Sequence, residues 1–293
     1  MCHSRFNLVD FSFSKLASLP VTITKAGLSI NCHVNSPPIR FQNMIRFPHW
    51  PLPPDAMALA DDEVHVWRVY LNKGFSDLER LASILTAEER EKAGRFFFEE
   101  HRREYVVSHS ILRYLLGRYV EIAPDRLRFR LGEYGKPALA VESGGGWLRF
   151  NLSHSHGIAL YAIARNREVG VDVERIQPDF AGEQIAERFF SSEEIRALRL
   201  IPGHLRDEAF FNCWTRKEAF IKAKGEGLSM PLDSFDVSLA PGEPARLIAT
   251  RADSDEASRW TLRELSPSDG YVGAVAAEGA DWRLKLIDFP ELS

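Results

Sequence analysis

The chain has 293 residues, 45% apolar and 27% charged, which is enough to bury one large or two smaller cores, and its net charge is −4. That balance excludes a nucleic-acid binder held by bulk charge, so any phosphate site must be built locally. Cys2, Cys32 and Cys213 have no metal-ligand spacing and are too few for a disulfide framework, and no apolar run reaches the ~20 residues of a membrane span.

Met1 to Pro54 contains a single acidic residue, Asp10, and prolines crowd between Pro37 and Pro54 without any periodic pattern. Residues 1–60 therefore read as a poorly ordered extension, either a targeting segment or the result of a start placed upstream of Met44 or Met57. Alternation predicts a strand over Val64–Leu71. Thr86-Ala87-Glu88-Glu89 opens a helix as a capping box, and a second helix follows Phe96-Phe97-Phe98 through Tyr105, Ile111, Leu112, Leu115 and Leu116. Short strands at Leu127–Leu131 and Trp147–Leu152 flank the turn Tyr134-Gly135-Lys136-Pro137 and the glycines Gly144 to Gly146. Ile158–Ala164 and Val169–Glu174 are β-branched runs joined by Arg165-Asn166-Arg167-Glu168, a pattern that predicts a hairpin.

The second half repeats the plan. Ser191-Ser192-Glu193-Glu194 is another capping box behind two phenylalanines, and a long helix through Trp214 follows it. Strands return at 235–239, 245–249, 260–264, 271–276 and 282–287. Short antiparallel strands with helices on one face give an α+β class, with an N-terminal subdomain over 61–165 and a C-terminal one over 166–293.

Two stretches carry chemistry. On the strand ending at Glu174 the period of two sends Val169, Val171 and Val173 to one face and Gly170, Asp172 and Glu174 to the other, so two carboxylates ~7 Å apart could share a small cation. A lone D-x-E is more often the polar face of an edge strand. On the long helix Phe210, Cys213, Trp214, Phe220 and Ile221 form an apolar stripe with Lys217 in its middle, while Glu218 and Lys222 stand one turn apart at its edge. Alone, this is an amphipathic helix with one i,i+4 ion pair. Gly225 and Gly227 tolerate the left-handed conformation that ends the helix.

Gly170-Val171-Asp172-Val173-Glu174 and, some forty residues on, Trp214-Thr215-Arg216-Lys217-Glu218-Ala219-Phe220-Ile221-Lys222 resemble the paired motifs G-x-D-x-E and W-x-x-K-E-x-x-x-K of the broad-specificity, secondary-metabolism type of 4′-phosphopantetheinyl transferase. Tyr134-Gly135-Lys136-Pro137 and Asn151-Leu152-Ser153-His154-Ser155 add two weaker blocks in the same order, so the resemblance covers roughly Asp61 to the C-terminus.

The resemblance implies two similar subdomains related by a pseudo-twofold axis, with the active site in the cleft between them. It implies coenzyme A as donor, a serine of an apo acyl or peptidyl carrier protein as acceptor, magnesium as the metal, and a monomeric, cytoplasmic enzyme. Asp172, Glu174 and Glu218 are the metal-ligand candidates, and Glu218 is also the candidate base, with Lys222 at the phosphates and Lys217 in the same field. Lys136, Ser153 and His154 are placed at coenzyme A. The family's basic residue for the 3′-phosphate is replaced by Glu104, which leaves Arg103 or Arg102, helped by Arg113 or Lys92, to take its place. A non-catalytic binder of coenzyme A or carrier, and a magnesium-dependent phosphohydrolase using Asp172 and Glu174, are the alternatives.

Overall fold

The computed structural model describes residues 50–54, 57–144, 146–178 and 182–290. Most of the expected extension, residues 1–49, lies outside them, as does Gly145. The chain runs through β1 (Glu63–Tyr70), the helices α1 (Leu78–Ile84), α2 (Ala87–Gly94) and α3 (Glu99–Val120), the short strands β2 (Phe129–Leu131) and β3 (Pro137–Leu139), then β4 (Leu148–Ser155), β5 (Ile158–Arg165) and β6 (Val169–Arg175). There follow α4 (Gly182–Phe189), α5 (Ser192–Leu200), α6 (Gly203–Lys224), β7 (Phe235–Val237), β8 (Leu247–Thr250), β9 (Trp260–Leu265), β10 (Tyr271–Glu278) and β11 (Arg283–Asp288). Among the described residues no helix is long and apolar enough to cross a membrane.

Both expected capping boxes form. Thr86 Oγ1 accepts from Glu89 N at 3.2 Å while Glu89 Oε2 accepts from Thr86 N at 2.8 Å, and Ser191 and Glu194 repeat the exchange at 3.2 and 2.9 Å.

The larger sheets have strand orders β11-β1-β5-β4 and β6-β10-β9. Set side by side, β1-β5-β4 and β6-β10-β9 show the same order, and each half carries one 22-residue helix, α3 or α6. Alternation along the strands assigns the faces. Trp67, Val69, Phe150, Leu152 and Tyr161 pack on Val107, Ile111 and Leu115 of α3, whereas Val66, Leu160 and Ala162 turn away and meet Val169, Val171, Val173 and Val275 of the second sheet. The far face of that sheet, with Leu262, Ala274 and Ala276, receives Phe210, Trp214 and Phe220 of α6. The layers are therefore helix, sheet, sheet and helix, with an apolar core between the two sheets.

One expectation about the chain path is corrected. β5 and β6 do not form a hairpin: β5 already pairs with β1 on one edge and β4 on the other, which leaves no edge for β6. Residues 165–168 instead carry the chain from one sheet to the other, with Asn166 in the left-handed region at φ 48. β11, although it follows the strands of the second sheet, returns to the first sheet and pairs in parallel with β1. Its register is held by Arg68, whose guanidinium meets both oxygens of Asp288 at 2.9 and 3.0 Å.

Packed structure also begins earlier than expected. Trp50 is 6% exposed and belongs to the core between the sheets, with the Arg68 guanidinium 5.0 Å from its ring centre, and Pro51 O accepts from Asp288 N at 2.8 Å. Removing the Trp50 side chain leaves a cavity in the core between the sheets. Trp50→Ala should therefore cost about 3 kcal/mol of unfolding free energy, read from equilibrium denaturant unfolding. A loss of a few tenths would show that the tryptophan only covers the surface.

Candidate active site

The site is made where α6 lies against β6. A Cβ built on Gly170 would stand 2.2 Å from Ala219 O and 2.3 Å from Ala223 N, distances no side chain permits. Glycine on the strand thus lets the helix backbone touch it, and alanines on the helix keep its side of the contact thin. Glu218 and Lys222, each one residue before a contacting alanine, are carried by this approach to the side of Asp172. Gly225, at φ 73, stops the helix directly afterwards, its N–H bonded to Ile221 O at 2.9 Å.

The first half supplies the other wall. β6 is an edge strand, and its free edge faces the edge of β4, with side chains of β4 reaching across to it. Asn151 Oδ1 accepts from Val171 N at 2.9 Å, Ser153 Oγ donates to Asp172 Oδ1 at 2.7 Å, and Ser155 Oγ donates to Glu174 Oε2 at 2.7 Å. The three β4 residues are spaced by two, so one face of the strand serves them all.

Lys222 Nζ donates to Asp172 Oδ1 at 2.6 Å and to Ser153 Oγ at 3.1 Å. Asp172, Glu174, Glu218 and Lys222 are each no more than 4% exposed. The buried Asp172 Oδ2 has no hydrogen-bond partner among the described residues. Burial pushes the Glu218 carboxyl up to about 7; the Lys222 charge opposes that shift and the Asp172 charge adds to it. Burial alone would lower the Lys222 pKa, but the surrounding Asp172, Glu218 and Glu174 charges raise it, so the amine stays protonated.

The other expected site residues are placed less uniformly. Among the described residues no group of three or more His, Cys, Asp or Glu side chains is arranged to hold a metal. Asp172, Glu174 and Glu218 therefore do not form a three-carboxylate cage, and Glu174 is bound to Ser155. Lys217 does not reach the cleft. Fully buried, its amine meets Glu194 Oε2 at 2.8 Å and the carbonyls of Leu232 and Phe235 at 2.6 and 2.7 Å, which ties α6 to the capping box of α5.

Lys136 is likewise engaged within the protein. Its amine donates to Glu168 Oε2 at 2.8 Å, Val169 O at 3.2 Å and Ala223 O at 2.7 Å, fastening the turn before β3 to the start of β6 and the end of α6. Arg103 bonds Phe75 O at 2.8 Å, exposed Arg102 pairs with Glu99, and buried Arg113 is held by Glu89 and the carbonyls of Pro124 and Leu127. Lys92, set aside as a helper, lies over the Tyr105 ring and lines a cavity of about 300 Å³ with His109 and Pro137. His154, half-buried, projects to the face of β4 opposite Ser153, because the pleat separates neighbours.

Asn151 and Ser155 were not among the expected site residues. Their signal was the polar alternation 151, 153, 155 in a strand whose even positions are apolar up to Leu152.

Two outcomes follow from this geometry. Gly170→Ala should abolish activity and lower the melting temperature, since α6 must move off β6; near-normal activity would show that the contact is dispensable. In chelator, folded Glu218 keeps its proton until about pH 7, whereas the unfolded carboxyl loses it near 4.5. The associated stability is complete below the unfolded value and is lost as the pH rises through the folded one. The melting temperature of Glu218→Gln minus that of the wild type should thus grow between about pH 5 and about pH 8, and a constant difference would contradict the assignment.

Comparison with known proteins identifies the family. A family model described as 4′-phosphopantetheinyl transferase superfamily matches residues 168–276, and one described as 4′-phosphopantetheinyl transferase, N-terminal, matches residues 73–166. The chain is similar to the 4′-phosphopantetheinyl transferase HetI of Nostoc sp., at 39% identity over 83% of this chain and 99% of that protein. It is also similar to two Bacillus subtilis 4′-phosphopantetheinyl transferases: ffp, at 34% identity over 74% of this chain and 93% of the relative, and Sfp, at 30% over 78% and 99%. With both halves matched and near full-length relatives above 30% identity, the chain belongs to the 4′-phosphopantetheinyl transferase family.

Proposed function

We propose that the protein moves the 4′-phosphopantetheine arm of coenzyme A to a serine of an apo acyl or peptidyl carrier protein, releasing adenosine 3′,5′-bisphosphate, as a magnesium-dependent monomer in the cytoplasm. The observation that carries this reading is the buried meeting of Glu218 and Lys222 from α6 with Asp172 from β6.

The residues present fit a hard divalent cation. Three buried carboxylates stand around a single ammonium, and Asp172 keeps one oxygen without a partner. Magnesium takes one or two carboxylates and completes its shell with water and phosphate oxygens, so a three-carboxylate cage is not required. When bound it would neutralise charge on the pyrophosphate. Asp172 would hold it, with Glu218 beside it and Glu174 in support.

The chain's own groups do the rest. The serine oxygen forms a bond to the phosphorus bearing the pantetheine arm, the pyrophosphate P–O bond breaks, and its electron pair leaves with the bisphosphate. Glu218, poised near neutrality, takes the serine proton. Lys222 is the cation available to the departing phosphate. The cavity lined by Lys92, Tyr105, His109 and Pro137 supports placing the nucleotide end there, next to the Tyr134–Pro137 turn.

The test is to incubate the protein with coenzyme A, magnesium and an apo carrier, then weigh the carrier. The expected result is a gain of one phosphopantetheine unit. No gain would indicate a binder, and coenzyme A breakdown without a carrier would indicate a hydrolase. Asp172→Ala and Glu218→Ala should each lose more than ~100-fold in turnover. Raising magnesium should partly restore the first and not the second, since metal cannot replace a base; equal rescue would leave Glu218 a ligand only.

A further inference from the structure

Lys222 is expected at substrate phosphate, and in the structure its amine lies against a carboxylate. Its side chain is 2% exposed, and its amine is held between Asp172 Oδ1 and Ser153 Oγ at 2.6 and 3.1 Å. In that position it is a counter-ion within the seam, opposite Asp172 and close to the charge of Glu218. A buried carboxylate left without such a partner is strongly destabilising while it is charged, so a cation beside Asp172 stabilises the folded protein. The lysine does this incompletely, because it satisfies one oxygen of Asp172 and leaves Oδ2 bare among the described residues.

We propose that Lys222 is a built-in place-holder for the divalent cation: its ammonium neutralises Asp172 in the metal-free protein and competes with the metal for that carboxylate. The idea rests on the reading of Asp172 as part of a metal site. It makes the seam between β4, β6 and α6 self-sufficient without metal, at the expense of metal affinity, since ammonium and metal repel across one carboxylate. It also gives the ammonium a reason to turn towards phosphate, which is free to happen once the metal has taken its place on Asp172.

The experiment uses the full chain with magnesium chloride alone, with neither coenzyme A nor carrier, so its failure is separable from failure of the transferase assay. Melting temperatures are measured in chelator and in magnesium, with ionic strength matched by sodium chloride, and magnesium binding is titrated calorimetrically. Wild type should melt at nearly the same temperature in both. Lys222→Met should melt lower in chelator, recover most of the loss in magnesium but not in sodium, and bind magnesium at least about tenfold more tightly than wild type. Asp172→Asn/Lys222→Met, which removes both charges, should melt above Lys222→Met in chelator and show no magnesium response.

A Lys222→Met protein that gains no more from magnesium than wild type, or binds it equally or more weakly, overturns the proposal. Should Lys222→Met fail to fold without metal, it must fold when refolded in magnesium. Failure there, with the double variant folding, overturns the proposal as well.

Discussion

The bare backbone of Gly170 under Ala219 and Ala223 is the contact on which the site depends. An added methyl would open α6 from β6, and with it the separation of Lys222 from Asp172, which is 2.6 Å and fully buried. Charges so placed need close geometry, because desolvation outweighs attraction as soon as they part. Lys217 and Lys136 serve the same end from two directions, one locking α6 to the capping box of α5 and the other gripping its last turn. Lys217 and Lys136, which read in the sequence as phosphate-binding cations, are thus engaged by partners within the protein.

How much of this the sequence shows depends on the range of the interaction. The strand alternation that puts Asp172 and Glu174 on one face, the two capping boxes and the helix stop at Gly225 are local, and all are legible in a few residues. The supposed hairpin at 165–168 was not, because pairing depends on which edges of β5 are already filled, and that is settled by β1, nearly a hundred residues earlier in the chain. The fate of Lys217 was hidden for a similar reason. Its partner Glu194 lies on another helix, and the carbonyls that receive its amine belong to Leu232 and Phe235. The serines of β4 could be seen as alternation, but not as partners of β6, since nothing in either strand announces that two sheet edges meet.

The repeated order β1-β5-β4 and β6-β10-β9 explains why chemistry collects at one place. Two similar halves packed face to face each leave an edge strand at the seam, β4 from one and β6 from the other. Edge strands present unpaired groups that have to be satisfied. Here Asn151 meets that need at Val171 N, and the two serines on the same strip hold the carboxylates of Asp172 and Glu174. A requirement of the fold and a requirement of the site are met by one row of side chains.

The return of β11 to the first sheet has a consequence for how the protein is made. Arg68 and Asp288 are 220 residues apart, so the outer edge of β1 cannot close until the chain through Asp288 has left the ribosome. During synthesis the first half therefore carries an open strand edge next to apolar side chains, the kind of surface that pairs with the wrong neighbour. Completion of this fold is therefore a late, long-range event, and that edge stays open until the last strand arrives.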